Sequence, residues 1–191
     1  MKKADKREVI LMATLKIVAE RGFHRSPMAM IAREARVGAG TIYCYFKNKD
    51  VLITELYREL EGEVVAAISE GYPERKTIRE RFIFLCTKLL KYCTAYPLQF
   101  RFMEQYYNSP YGASLRRDRL LGKVSRQDVF LHLFQEGITK HVLKDLPLFA
   151  LAALTFSPLV ALARDHTLGL IKLNDSIIRK SIEACWDSIK R

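Results

Sequence analysis

Cysteine is scarce in this 191-residue chain: there are four, Cys44, Cys86, Cys93 and Cys185, with no Cys-x-x-Cys pair among them. That spacing excludes a zinc finger or a thioredoxin-like motif, and the count excludes a disulfide scaffold. A reducing, cytoplasmic location is expected. Nine glycines and six prolines are too few for a collagen-like or linker-dominated architecture. His24, His132, His141 and His166 are scattered without metal-ligand spacing, so no metal or other cofactor is expected. Gly-x-Ser-x-Gly, P-loop and His-Glu-x-x-His patterns are missing, and with them the constellation an enzyme would need. No stretch alternates with period two between turn signals, which argues against strands. The segment from Met1 to Arg7 carries charges of both signs and no apolar run, so no signal peptide is expected there.

Acidic residues are also short in number, 21 against 32 Lys and Arg, giving a formal charge of +11. The imbalance is concentrated at one end. Positions 1–49 hold eleven basic and four acidic residues, or +7, and the remainder carries only +4. A basic head on a near-balanced body suggests a polyanion-binding module joined to one of a different kind. One uncharged run, Pro147 to Ala163, covers 17 positions, the lower limit for crossing a bilayer. Pro158 interrupts it and charged residues flank it. A buried helix in a core or a subunit interface is the better reading.

What is present reads as helix throughout, an all-α chain. Ile10, Ala13, Thr14 and Ile17 form a helical stripe that Gly22 closes. Ser26-Pro27 reads as a helix start, with Ser as cap. Ile31, Ala32 and Ala35 give a short inner face, Val37 to Gly40 a break, and Thr41 to Phe46 a second short helix whose Ile42 and Phe46 face inward. A longer helix follows over 50–71. Later helices are expected from the stripe Ile78, Phe82, Leu85, Leu89, Tyr92; from Pro97 to Tyr107; as one long polar helix from Ala113 to Gly137; over the run from Pro147; and from Asn174-Asp175 onward. The expected domains are 1–49, linked by helix 50–71 to a second domain, 72–191.

Two short helices joined by a small-residue turn inside a basic segment, 27–46, make a helix-turn-helix. Its second helix is small enough for a major groove about 12 Å wide. Arg7, Ile10-Leu11, Ala13, Glu20, Gly22-Phe23, Ser26, Ile31-Ala32, Ala35, Val37, Gly40-Thr41, Tyr43, Tyr45-Phe46, Lys49 and Leu52 stand at offsets that resemble the TetR family of bacterial transcriptional regulators. The resemblance implies about nine helices: an N-terminal three-helix DNA-binding domain and a C-terminal helical ligand-binding and dimerisation domain. It implies a homodimer that binds a palindromic DNA operator and is released by a small apolar or amphipathic effector. An activator of the same family and a non-specific architectural DNA-binding protein are the alternatives; a helical enzyme or carrier is a further rival.

The resemblance places Met28, Ala29, Ala39, Gly40, Thr41, Tyr43, Cys44, Tyr45 and Lys49 at DNA. One departure stands out. The family turn reads Ala-Gly-Val-Ser, whereas this chain has Ala35-Arg36-Val37-Gly38. A left-handed Arg36 would cost roughly 1–2 kcal/mol. Aromatic and Met residues concentrate in the middle of the chain, as either a ligand pocket or an ordinary core requires. The candidate ligand residues are Phe82, Cys86, Phe100, Met103, Glu104, Tyr107 and Phe130. The run 147–165 and the helix 175–190 resemble the family's dimer-forming pair, with Leu154, Leu162, Ile178, Ile182, Cys185 and Trp186 as candidate interface residues.

Overall fold

Asp5 opens the first helix, α1 (Lys6–Arg21), by accepting a hydrogen bond from the Arg7 amide at 3.1 Å. Gly22 ends it at φ +79°, a left-handed conformation that glycine adopts without steric cost. The computed structural model describes residues 5–120 and 128–191. Among these are ten α-helices and no strand beyond a single bridge between Leu143 and Lys190. Contacts divide the chain into two compact units, one of residues up to Gly62 together with Leu98–Ala113, the other of Glu63–Pro97 with Ser114–Arg191.

In the first unit, α1 is followed by α2 (Met28–Glu34), α3 (Ala39–Tyr45) and the start of α4 (Lys49–Ser69). Ile10, Val18, Ile31, Ile42, Phe46, Leu52 and Ile53 are fully buried and form its core. Each such side chain stabilises the unit by about 1.5–3 kcal/mol relative to exposure. Ser26 does not cap α2. The N-cap is Pro27, and the Ser26 hydroxyl turns back to donate to the Gly22 carbonyl at 2.6 Å. Ser26 is fully buried in the tight turn after α1, so its hydroxyl needs an acceptor there, and this demand outweighs capping. The unit is completed by α6 (Pro97–Tyr107) and a 3-10 turn, Pro110–Gly112. The Gln105 amide donates to the Ala19 carbonyl at 3.2 Å, and the Tyr57 and Tyr106 rings stack 4.0 Å apart.

The second unit contains α5 (Ile78–Ala95), α7 (Ala113–Leu120, from Ser114 on), α8 (Val129–Thr139), α9 (Leu148–Thr167) and α10 (Asp175–Ile189). Thr77 and Glu80 form a reciprocal capping box at the start of α5. The helix expected to run unbroken over 113–137 is instead two. Asp128, at ψ 89°, is not helical and caps α8 through the Leu131 amide; residues 121–127 lie outside the described residues. The second of the two is not polar, because Phe130, Leu133 and Phe134 are buried and Phe156 of α9 meets both rings. α9 passes through Pro158 without breaking. Asn174 caps α10 through the Ile177 amide at 2.9 Å.

Candidate nucleic-acid interface

The turn between α2 and α3 is built on hydrogen bonds that wrap the end of α2. Val37 N–H donates to the Ala32 carbonyl at 3.0 Å and Arg36 N–H to the Arg33 carbonyl at 3.2 Å. These are the two bonds of a Schellman motif, which places its C′ residue in the left-handed region usually reserved for glycine. Here that residue is Arg36, at φ +53°. The strain costs roughly 1–2 kcal/mol and is held by the buried Ile31, Ala32 and Ala35 around it.

α3 has two faces. Ile42 and Phe46, four residues apart, are fully buried and seat the helix on the rest of the unit. Ala39, Gly40, Tyr43, Cys44 and Tyr45 are exposed, Tyr43 at 55% and Tyr45 at 41%, and Thr41 is half-buried. A Cβ added at Gly40 would meet nothing within 4 Å, so the helix start is open to a close neighbour. The Cys44 thiol turns back to the Gly40 carbonyl at 3.4 Å. Met28 is half-buried and Ala29 exposed at the start of α2. Arg25, Arg33, Arg36 and Lys47 add exposed positive charge within the same segment. Protruding hydroxyls and cations around a short rod seated on an apolar base suit phosphate and base-edge contacts.

Lys49 starts α4 half-buried, and its ammonium donates to the Phe23 carbonyl. Burial pushes its pKa down, and neighbouring Asp50 opposes the shift. Arg7 holds the other side of the same helix, with its guanidinium paired to Glu55 at 2.8 Å and to Glu59.

The remaining candidates divide between the units. Phe100 is buried on α6, and Met103, Glu104 and Tyr107 are half-buried there, in the first unit. Phe82, Cys86 and Phe130 are buried in the second. Phe82 packs on Trp186 with ring centroids 5.4 Å apart. Two surface clefts lie elsewhere: one of about 310 Å³ is lined by residues of Asn48–Arg58, the other, of about 360 Å³, by Asp175, Ser176, Arg179 and Lys180.

Four of the expected interface residues require correction. Ile178, Ile182, Cys185 and Trp186 are only 7%, 0%, 4% and 5% exposed, enclosed by their own subunit. These four side chains of α10 are turned toward α5 and α9, while Ile177 of the same helix is exposed. Leu154 is 39% exposed and Leu162 half-buried. Phe149, Ala153 and Pro158 are exposed on the same helix as Leu154. Their signal was the run's lack of charge, which marks a face needing cover without choosing among its residues.

Within the first unit, α1, α2 and α3, with a short exposed α3 set out by a strained turn, make a helix-turn-helix DNA-binding domain. Residues 10–56 match the family model of bacterial regulatory proteins of the tetR family, and residues 77–190 match that of the tetracyclin repressor-like C-terminal domain. An uncharacterized HTH-type transcriptional regulator of Haemophilus influenzae is 28% identical over 190 residues, 99% of this chain and 98% of that protein. The solved structure of a TetR-family regulator from Vibrio parahaemolyticus is 30% identical, covers 98% of this chain and 99% of that one, and superposes with a TM-score of 0.77. The fatty acid metabolism regulator protein of Bacillus subtilis is 35% identical over 79 residues, 41% of each chain. The chain belongs to the TetR family: it is a transcriptional regulator with a DNA-binding helix-turn-helix, in a family of regulators and not of enzymes.

Proposed function

We propose that the protein is a cytoplasmic homodimeric repressor that binds a near-palindromic operator and is released by an apolar or amphipathic small molecule. The observation that carries this reading is the exposed face of α3, seated by Ile42 and Phe46 within a segment of charge +7. A helix of seven residues reads few base pairs, so two heads about 34–36 Å apart are needed to read successive major-groove faces. Ala29 and Ala39 cannot hydrogen-bond a base through their side chains. Specificity then leans on thymine methyl contacts, DNA shape and the hydroxyls of Thr41, Tyr43 and Tyr45.

The uncovered face of α9 supports the dimer. By length and composition α9 could cross a membrane, but an apolar face on an otherwise packed helix is equally suited to a second copy. The relative that regulates fatty acid metabolism points to an acyl-chain effector, a member of the apolar class already proposed. Effector and DNA must weaken each other by the same factor, typically about 5–150-fold.

Titrating an acyl compound into the protein bound to DNA flanking its own gene tests the reading. Release with a matching loss of effector affinity on the DNA complex supports it; an effector that binds without changing DNA affinity removes the allosteric half. Activation of transcription from the same site would replace repression and leave the DNA contacts unchanged.

A further inference from the structure

Tyr111 follows Asp50 by 61 residues and belongs to the same compact unit. Its position is tightly fixed. Ser109 accepts from the Tyr111 amide at 3.2 Å and donates to the Tyr106 carbonyl at 2.7 Å. A Cβ on Gly112 would lie 2.4 Å from that same carbonyl, so the turn is pressed against the end of α6. The Tyr111 ring packs on Phe23 with centroids 5.1 Å apart, and Phe102 meets Phe23 edge-on at 5.8 Å. The Tyr111 hydroxyl donates to Asp50 Oδ1 at 3.0 Å.

These two partners frame Lys49. Phe23 supplies the carbonyl that takes the Lys49 ammonium, and Asp50 is its neighbour in the first turn of α4. A cation at a helix N-terminus opposes the macrodipole, and partial burial disfavours its charge further. It keeps its place because the acceptor is fixed. An ammonium has three donors, and a carbonyl takes one.

We infer that Tyr111 is a positioning residue for DNA binding: by bridging Phe23 and Asp50 it holds the Lys49 ammonium where a phosphate is met. This rests on the reading of Lys49 as a DNA contact. It assigns to a turn beyond the helix-turn-helix, within the stretch matched by the C-terminal family model, a direct hold on the DNA-binding machinery.

The test is a double-mutant cycle on the full chain, with affinity for a short labelled duplex of mixed sequence measured by fluorescence anisotropy over a salt series. Tyr111→Phe keeps the ring packing and loses only the hydroxyl. It is expected to weaken binding about 3- to 10-fold, the worth of one hydrogen bond, and to make the salt dependence shallower. On a Lys49→Ala background the same change is expected to do nothing. Wild-type binding by Tyr111→Phe while Lys49→Ala binds more weakly overturns the inference, as does an equal loss on both backgrounds. Wild-type binding by Lys49→Ala removes the phosphate contact itself, a separate failure that takes the inference with it. In the DNA-free protein, the side-chain resonances of Lys49, identified by their loss in Lys49→Ala, are expected to shift in Tyr111→Phe; unchanged resonances also overturn the proposal.

Discussion

The guanidinium of Arg7 lies over the ring of Phe46, 5.5 Å from its centroid. One side chain thereby touches the first turn of α1, the residue that ends α3 and, through Glu55 and Glu59, the body of α4. Arg7 is about one-third exposed, so its ion pairs are partly screened. Arg7→Ala is expected to cost about 1 kcal/mol from the lost cation–π contact and ion pairs, a fall in Tm of about 2–4 °C. Arg7→Lys is expected to recover part of it, because an ammonium cannot span two carboxylates as a fork does. Thermal melts check both; a melt unchanged by Arg7→Ala contradicts the contact.

Arg36 occupies a position that glycine would fill without strain. Arg36→Gly is expected to stabilise the chain by about 1 kcal/mol, after allowance for glycine's greater unfolded-state entropy. Urea titration measures it. A loss of stability would mean that the Arg36 side chain contributes more than its backbone costs.

Tyr43 projects from α3 with more than half its surface free. Tyr43→Phe is expected to weaken operator binding by about 0.5–1.5 kcal/mol for one lost hydrogen bond. Unchanged affinity would remove its hydroxyl from the DNA contacts.

Acid is expected to loosen the structure through carboxylates held below their ordinary pKa. Glu136 is held down by hydrogen bonds from Lys140 and from Arg81, the latter at 2.6 Å, Glu34 by Lys16, and Glu80 by the Thr77 amide. A depressed folded value stabilises fully above the unfolded pKa, near ~4.3, and the contribution is lost as pH falls through the folded value. Glu136→Gln leaves the buried Arg81 without its carboxylate and is expected to cost about 1–2 kcal/mol at neutral pH. Stability of the variant should also fall less steeply in acid. Parallel stability–pH curves for variant and wild type would contradict the pairing.

Leu154→Glu places a charge on the uncovered face of α9. It is expected to convert a dimer to monomer in sedimentation equilibrium with the helical circular dichroism unchanged. A dimer that persists would move the interface elsewhere.

Much of the DNA-binding head was legible because its determinants are local. The spacing of Ile42 and Phe46 and the glycine after Arg21 each act within a turn or two of chain, as does the asparagine before Asp175 in the second unit. The left-handed Arg36 was also legible as a departure from a pattern. The failures are those of long-range context. Ser26 reads as a cap, but in the fold its buried hydroxyl is taken by the carbonyl four residues back. The apolar stripe on α10 indicated a face that needs cover, and its own subunit supplied the cover. Tyr111 lay between the helices expected to end at Tyr107 and to start at Ala113, and neither periodicity nor spacing links it to Asp50.

The most direct measurement is a hydroxyl-radical footprint on DNA flanking the protein's own gene. One short symmetric site is expected, with protected half-sites separated by one helical turn or a multiple of it, about 10–10.5 base pairs each. Replacing Tyr43 and Tyr45 with alanine is expected to abolish that site. Uniform protection without symmetry, or an identical footprint from the doubly substituted protein, would show that α3 is not the element that reads DNA.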